Sequence, residues 1–169
     1  WWPKVPSGKG ATNFTHINTF ELMDQGIMKG YFNWGMNPCH SAPNASFVRH
    51  SMAKLDWLVV ADQVLTESAT FWKAPDMKPE EVNTTGYYLP CALIYEKPGL
   101  ILNSGRWIQY RQKACEPWDQ AKPDYEMCDL IWTKIVELYK KEGGANPAPI
   151  LNTKWDYYVD GKIDSRPVA

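Results

Sequence analysis

An aspartate at the end of a predicted buried strand is well placed for ligand chemistry in this sequence. Asp62 follows the apolar segment Trp57–Ala61, and a turn, Gly35-Met36-Asn37-Pro38, follows an earlier apolar segment. In open parallel sheets ligands bind at the carboxyl ends of strands, and an acid about 20 residues beyond the first turn often accepts a ribose hydroxyl. Asp62 has that position relative to Gly35. A nucleotide site is therefore one interpretation, and a βαβ unit without a ligand is the alternative.

The segments around this turn resemble half of a nucleotide-binding α/β domain. Residues 31–34 form a short apolar strand, residues 47–55 have a helical pattern with Ser46 as its N-cap, and residues 57–62 read as a buried strand. The glycine-rich GxGxxG turn of ordinary NAD sites is absent from the sequence. The outline therefore predicts a parallel α/β arrangement but not an NAD site.

Further elements are predicted on both sides of this unit. The pattern predicts a short helix over residues 19–30 that stops at Gly30, a strand that ends at Leu89, and an alternating strand that reaches Arg111. The fold class expected from this order is α/β, with an open, mostly parallel sheet in three layers.

The longest predicted helix runs from about Asp124 to Glu142 and ends at Gly143-Gly144. Asp124 is its expected N-cap. The spacing of apolar residues predicts an inner face made by Leu130, Ile131, Ile135, Leu138 and Tyr139. The tail that follows, residues 155–161, is expected to form a hairpin or an irregular extension.

Length and composition limit the classes of function. The chain has 169 residues, 44% hydrophobic and 22% charged, as expected for one globular domain. A net charge of −1 argues against binding nucleic acid or an anionic membrane. Nine Trp and nine Tyr indicate large buried surfaces or interfaces with other parts of an assembly. The amino end shows neither an initiator Met nor a signal pattern, so we expect a piece of a longer chain.

No catalytic residue and no protein-ligated metal are predicted within the chain. The cysteines lack a CxxC pair, so we expect scattered buried thiols rather than zinc or iron–sulfur ligation. The three histidines are too far apart for a helical metal pair, and no GxSxG elbow is present. The cysteines are Cys39, Cys91, Cys115 and Cys128.

Several motifs, in this order and spacing, resemble the large catalytic subunit of formate dehydrogenase. That family belongs to the molybdopterin oxidoreductases related to dimethyl sulfoxide reductase and periplasmic nitrate reductase. The resemblance runs from about Gly30 to the carboxyl end, and the last two features below point most narrowly to the formate enzymes. The motifs are Gly35–Pro38, Lys54–Val60, Leu89-Pro90, Tyr95–Gly99, Ala121–Asp124, Asp62 with Thr66–Trp72, and Asn103–Trp107.

The resemblance implies that this segment holds one of two molybdopterin guanine dinucleotides (bis-MGD) that chelate molybdenum or tungsten. The matching positions are those that contact the dinucleotide in related enzymes: Asn37, Ala61, Asp62, Lys97 and Asp124. A carboxylate accepts two hydrogen bonds from the guanine N1 and N2 edge, so either Asp62 or Asp124 is expected to select guanine while the other binds ribose. Lys97 is expected to meet a guanine carbonyl or a phosphate oxygen, and Asn37 offers both a donor and an acceptor. The alternatives are that Asp124 only caps its helix and that Lys97 is solvated.

The resemblance also implies a place in a larger enzyme. Residues 31–145 would form the dinucleotide-binding domain, after an irregular lead-in and helix over 1–30 and before a carboxyl-terminal extension over 146–169. The parent subunit would oxidise formate to carbon dioxide, carry a 4Fe-4S cluster elsewhere, pass electrons to an iron–sulfur subunit and lie in the periplasm. The alternatives are another oxidoreductase of the same superfamily and a non-catalytic guanine-nucleotide-binding or assembly module. Leu100 and Gly86 depart from the family pattern, where a small polar residue and an apolar residue are usual.

Overall fold

The computed structural model describes residues 15–164 and divides the chain into two compact units at Pro90 and Cys91. The first unit is a mixed α/β structure with a small parallel sheet, as the sequence predicts. Short 3₁₀ turns at Phe71–Lys73 and Pro79–Glu81 lie in its long connection between the second and third strands. Its main elements are α1 (His16–Asp24), β1 (Gly30–Trp34), α2 (Pro38–Ser41), α3 (Ala45–Met52), β2 (Trp57–Asp62) and β3 (Thr85–Pro90).

The three strands pair in parallel in the order β1-β2-β3. Trp34 is level with Ala61, and Ala61 is level with Leu89, so the three strands end together. The three predicted strands are therefore confirmed, although β3 includes Pro90 where the sequence places the strand end at Leu89. Proline is tolerated there because β3 is an edge strand and Pro90 is its last residue.

One face of this sheet packs against the helices. The side chains of Leu58 and Val60 on β2 are buried, and they belong to one apolar cluster with Met23 of α1 and with Val48 and Met52 of α3. Val48 and Met52 are four residues apart, so they lie on the same face of α3. The amphipathic pattern of α3 therefore directs it onto the sheet.

The opposite face of the sheet carries aromatic side chains that remain open to solvent in the described part of the chain. Phe32, Trp57 and Tyr87 alternate away from the buried positions and are 46%, 37% and 55% exposed. Phe32 and Trp57 contact each other edge to face with their ring centroids 5.3 Å apart. The helical layer on the other face is thus the only layer that the described residues of the first unit supply.

Two helix ends differ from the sequence prediction. The first helix ends at Asp24 rather than Gly30, because Gly26 adopts a left-handed φ of 69° and the Ile27 N–H turns back to the Leu22 carbonyl at 2.9 Å. The N-cap of α3 is Asn44, whose side chain accepts from the Phe47 N–H at 3.2 Å, and not Ser46.

Ser46 instead helps to hold an acidic residue of the long connection against α3. Its hydroxyl donates to Asp76 at 2.7 Å, and the Arg49 guanidinium binds both oxygens of the same carboxylate at 2.9 and 2.7 Å. These contacts hold the pKa of the Asp76 carboxyl well below its usual range, with Arg49 as the largest cause. The charged connection is therefore anchored to the helix at a defined point.

The second unit contains two small antiparallel hairpins and the long helix. The predicted strand before Arg111 is paired with a strand that the sequence analysis did not predict, and the predicted tail hairpin is present. Asp160 and Gly161 turn that hairpin with φ values of 51° and 75°, as in a type I′ turn. The elements are β4 (Gly99–Leu102), β5 (Ile108–Arg111), α4 (Asp124–Glu142), α5 (Pro147–Leu151), β6 (Tyr158–Val159) and β7 (Lys162–Ile163).

The bounds of α4 agree with the prediction, and its predicted inner face is present only in part, since Ile131, Ile135 and Tyr139 are half-buried. Leu130 and Leu138 are exposed, whereas Met127 is the buried residue of this helix. The tail contacts α4 through an aromatic pair: Trp155 stacks on Trp132 with ring centroids 5.5 Å apart, and the Trp155 indole N–H donates to Asp129 at 2.8 Å. The helix is therefore held at its first half and by the tail rather than along one apolar stripe.

The cysteines are also not uniformly buried. Cys39 and Cys91 are buried, and burial raises the pKa of the Cys39 thiol, whereas Cys115 and Cys128 are exposed. All four are free thiols. Among the helices of residues 15–164, none is long and apolar enough to cross a membrane.

The close contact between Gly30 and Trp57 makes a testable prediction about the sheet. A Cβ at Gly30 would lie 2.0 Å from ring atoms of Trp57, whereas a Cβ at Gly86 in β3 meets nothing within 4 Å. We expect Gly30→Ala to displace the indole and to lower the free energy of opening of β1 and β2 by about 1–3 kcal/mol, as overpacking does. Hydrogen exchange of the strand amides measures this loss. Gly86→Ala is the matched control, and equal effects of both substitutions would contradict the prediction.

Candidate functional site

The carboxyl edge of the parallel sheet brings three of the predicted site residues into one region. The Gly35 N–H donates to the Ala61 carbonyl at 2.9 Å, which joins the turn after β1 to the end of β2. Gly35 has a φ of 58°, a left-handed conformation that favours glycine. The side-chain amide of Asn33 donates to the Met36 carbonyl at 2.8 Å and fixes the rest of the turn. Asn37, Ala61 and Asp62 therefore lie at the same edge.

The two residues at the end of β2 present different groups at this edge. Ala61 is fully buried, so only its backbone and its small size contribute there. Asp62 is half-buried, and its Oδ1 accepts from the Gln63 N–H at 2.7 Å. The Tyr88 hydroxyl donates to the Asp62 carbonyl at 3.0 Å and ties the residue to β3. Among the described residues no partner is found for Asp62 Oδ2, so one carboxylate oxygen is left as an acceptor at the edge.

Asn37 is engaged with a turn that lies 31 residues further along the chain. Its Oδ1 accepts from both the backbone N–H and the hydroxyl of Ser68, at 3.1 and 2.8 Å. Its Nδ2 donates to the Glu67 carboxylate at 2.5 Å, and this bond holds the pKa of the Glu67 carboxyl below its usual value. The acceptor of Asn37 is thus used within the protein, while its amide nitrogen keeps a second hydrogen.

Ser68 and Glu67 are functional candidates that lie within one of the family motifs but were not predicted as site residues. Ser68 is fully buried, and its hydroxyl also accepts from the Cys39 N–H at 3.1 Å. Its partners lie 29 and 31 residues away, so neither helical nor strand periodicity reports them. The sequence signal for this turn is the motif Thr66–Trp72, which begins shortly after the acid-ended strand.

Two buried polar atoms near the edge are without a hydrogen-bond partner among residues 15–164. They are the side-chain oxygens Asn33 Oδ1 and Thr66 Oγ1. Buried polar atoms in native proteins are almost always satisfied, so an ordered water or a bound ligand is the expected partner of each. A guanine dinucleotide carries N–H donors and phosphate acceptors, and the edge offers a carboxylate, an amide and a hydroxyl. The residues present therefore fit such a ligand in donor and acceptor chemistry.

The other two predicted site residues form an ion pair in the second unit. Lys97 Nζ and a carboxylate oxygen of Asp124 are in contact, and the side chains of Lys97 and Asp124 are 16% and 41% exposed. The alternative of a solvated lysine is therefore wrong. Asp124 is also not the N-cap of α4: Pro123 holds that position, and its carbonyl accepts from the Glu126 and Met127 N–H groups. The aspartate is the first helical residue, where a negative charge is favourable.

Leu100, one of the two departures from the family pattern, lines a cavity of the second unit. This cavity of about 510 Å³ is lined mainly by apolar and aromatic side chains, among them Tyr125, Trp155 and Tyr157. Within residues 15–164 no three His, Cys, Asp or Glu side chains come together as a metal-binding group. The lining of the cavity therefore offers mainly apolar packing.

Comparison with known proteins gives a consistent set of relatives. The chain is similar to formate dehydrogenase subunit alpha of Megalodesulfovibrio gigas, at 36% identity over 167 residues that cover 98% of this chain. It is 36% identical over its full length to the nitrate-inducible formate dehydrogenase major subunit of Escherichia coli. It is 38% identical over 153 residues to formate dehydrogenase 2 subunit alpha (cytochrome c-553) of Nitratidesulfovibrio vulgaris. No family model matches the chain.

The chain spans only a small part of these relatives. It covers 16% of the Megalodesulfovibrio protein, 17% of the Escherichia protein and 15% of the Nitratidesulfovibrio protein. The similarity therefore relates this chain to one segment of a much longer polypeptide.

The Lys97–Asp124 pair makes a prediction about the start of α4. Asp124→Asn removes the partner of a largely buried ammonium group, so we expect the first turn of α4 to lose about 1–3 kcal/mol of protection. Hydrogen exchange of the amides of residues 125–129 measures it. Glu137→Gln is the matched control, because the Lys134–Glu137 pair on the same helix is 62% and 60% exposed and should contribute less than about 0.5 kcal/mol. Similar losses in the two variants would contradict the burial argument.

Proposed function

Because this chain belongs to the formate dehydrogenase alpha-subunit family, we propose that it is the segment of such a subunit that binds and orients one molybdopterin guanine dinucleotide. The observation that carries the proposal is the carboxyl edge of the parallel sheet. There the turn after β1 and the acid after β2 are joined by the Gly35–Ala61 hydrogen bond. Ligands of open α/β sheets bind at this end of the strands.

The parent subunit, in this proposal, is an oxidoreductase that oxidises formate to carbon dioxide. When bound, its bis-MGD with molybdenum or tungsten would supply the redox chemistry, and a 4Fe-4S cluster elsewhere in the subunit would connect it to an iron–sulfur partner subunit. We place the enzyme in the periplasm, which agrees with the naming of one relative after cytochrome c-553. The segment by itself is expected to be inactive, since its part in the reaction is to bind and orient.

The proposed contacts of the first unit follow from the groups left at its edge. Asp62 accepts hydrogen bonds through its carboxylate, either from the guanine edge or from ribose hydroxyls. The remaining amide hydrogen of Asn37 is directed to a ligand acceptor, and Ala61 contributes backbone and small size. Lys97 and Asp124 are proposed as further contacts from the second unit, where they already form a pair of opposite charge.

The aromatic face of the sheet supports the proposal that this segment belongs within a larger three-layer domain. Sheets made only of parallel strands are covered on both faces in known α/β proteins, and here Phe32, Trp57 and Tyr87 are exposed on one face. Since the chain spans only 15–17% of its relatives' length, most of such a subunit lies outside it. We propose that residues 31–145 form the dinucleotide-binding domain together with helices from the rest of the subunit. Residues 1–30 and 146–169 then flank that domain.

The principal test is a substitution that removes the charge of Asp62 while keeping its shape. In the full-length subunit, Asp62→Asn retains an acceptor for the Gln63 N–H but loses the charge-assisted hydrogen bonds to the ligand. We expect the guanine dinucleotide content of the purified enzyme to fall by about tenfold under conditions of limiting cofactor. Release of the cofactor, followed by chromatography of guanine nucleotides, measures the content.

The matched control for Asp62 is an acid at the opposite end of the same strand. Asp56 precedes β2, is exposed and lies at the amino edge of the sheet. Asp56→Asn should leave the dinucleotide content unchanged. Wild-type content in the Asp62→Asn enzyme would refute the proposed site, and an equal loss in both variants would make the effect a general loss of stability.

A separate prediction concerns the aromatic sheet face. A photo-crosslinking phenylalanine analogue placed at Tyr87 of the full-length enzyme should crosslink to an apolar helix of the same subunit outside this segment, and mass spectrometry of the digest identifies the partner peptide. The same analogue at Leu138, which is exposed on α4, is a reference for nonspecific reaction. If the group at position 87 is quenched by water without crosslinking, or crosslinks only to another subunit, the three-layer arrangement is contradicted.

A further inference from the structure

At the carboxyl edge two loops are joined by hydrogen bonds in which a side chain of each loop accepts from a backbone N–H of the other. The loop after β1 contains Asn37 and α2, and the loop after β2 contains Ser68. Asn37 is the N-cap residue of α2, yet its side chain makes no cap bond to its own helix and instead accepts from the Ser68 N–H. In return, the Ser68 hydroxyl accepts from the Cys39 N–H in the first turn of α2. Each side chain thus caps the other loop.

Burial makes this exchange energetically important. The first N–H groups of a helix have no acceptor within the helix, and an unsatisfied buried N–H is costly. Cys39 is 3% exposed and Ser68 is fully buried, so solvent does not replace either partner readily. Loss of the Ser68 hydroxyl would leave the Cys39 N–H without its acceptor and Asn37 Oδ1 with one donor instead of two.

A third bond determines which way the Asn37 amide faces. Its oxygen accepts from Ser68 while its nitrogen donates to the exposed Glu67 carboxylate at 2.5 Å. A reversed amide would place its nitrogen against the Ser68 N–H, donor against donor, and its oxygen against the Glu67 carboxylate, acceptor against acceptor. The network therefore directs the amide nitrogen of Asn37 and the carboxylate of Glu67 outward at the edge of the sheet.

We propose that Asn37 and Ser68 form a reciprocal clamp that holds the two loops of the dinucleotide edge in one arrangement, with Ser68 as a positioning residue. The inference rests on the proposed function and adds a residue to it. Ser68 is buried and does not contact the ligand. It acts through Asn37, whose amide it orients, and through α2, whose first turn it caps. The retention of the dinucleotide thus depends on a hydroxyl inside the protein.

A double-mutant cycle in the cofactor-loaded, full-length enzyme tests the clamp. We expect Asn37→Ala and Ser68→Ala each to speed release of the dinucleotide by about tenfold. Because both substitutions break the same clamp, the double variant should also release it only about tenfold faster than wild type, and not about a hundredfold faster. Pterin fluorescence in the filtrate follows the release. Ser68→Thr keeps the hydroxyl, so this variant should release the dinucleotide at a rate close to that of wild type and more slowly than Ser68→Ala. A role of Ser68 in packing alone would not explain that difference.

Hydrogen exchange provides a readout that does not depend on the ligand. Asn37→Ala should speed amide exchange in residues 66–70, and Ser68→Ala should speed it in residues 39–41, because each side chain caps the other loop. Ser51→Ala is the matched control: Ser51 is also fully buried, but its hydroxyl donates to the Phe47 carbonyl within α3 at 2.7 Å. This variant should leave both loops and the release rate unchanged.

The outcomes separate the clamp from the function on which it rests. Additive effects on release, or exchange that rises only in the substituted loop, would overturn the clamp while the response of Asp62→Asn still supports the dinucleotide site. If Asp62→Asn, Asn37→Ala and Ser68→Ala all retain the dinucleotide at the wild-type rate, the proposed function is wrong and the positioning role of Ser68 falls with it. Coupled release with reciprocal exchange supports both.

Discussion

The parallel register of β1 on β2 is the constraint on which the rest of the first unit depends. It sets Trp34 level with Ala61, so the turn after one strand and the acid after the other reach the same edge. A shift of one residue would move Leu58 and Val60 out of the apolar cluster and bring Trp57 and Val59 into it. The burial of these β2 side chains against Met23 and Met52 therefore determines where the polar groups of the site lie.

Apolar packing and hydrogen bonding have different tasks at the edge. The apolar cluster positions whole strands and helices but does not determine the conformation of the loops that follow them. That conformation is set by directional hydrogen bonds of a few small polar side chains: Asn33 donates to the Met36 carbonyl, the Ser68 hydroxyl donates to Asn37, and the Cys39 N–H donates to Ser68. Such bonds suit the proposed dinucleotide site, because each bond specifies a direction as well as a distance.

The high aromatic content has a structural explanation within a larger subunit. Phe32, Trp57 and Tyr87 make one sheet face apolar without covering it. In the second unit Trp155 and Trp132 hold the tail against α4, while Trp118 remains 84% exposed. Exposed aromatic surface of this kind is typical of interfaces. It agrees with a chain that spans 15–17% of the length of the related formate dehydrogenase subunits.

The parallel strands, the bounds of α4 and the acid at the end of β2 can be read along the chain, because these features depend on local apolar periodicity and on residues that end strands. The motifs also identified the family. Three other features became visible only in the folded chain: Asn44 rather than Ser46 caps α3, Lys97 pairs with Asp124, and the Ser68 hydroxyl accepts from the first turn of α2. The physical reason is that these choices depend on hydrogen bonds and charges between residues about 30 positions apart, or on competition between neighbouring polar groups, and neither leaves a periodic signal along the chain.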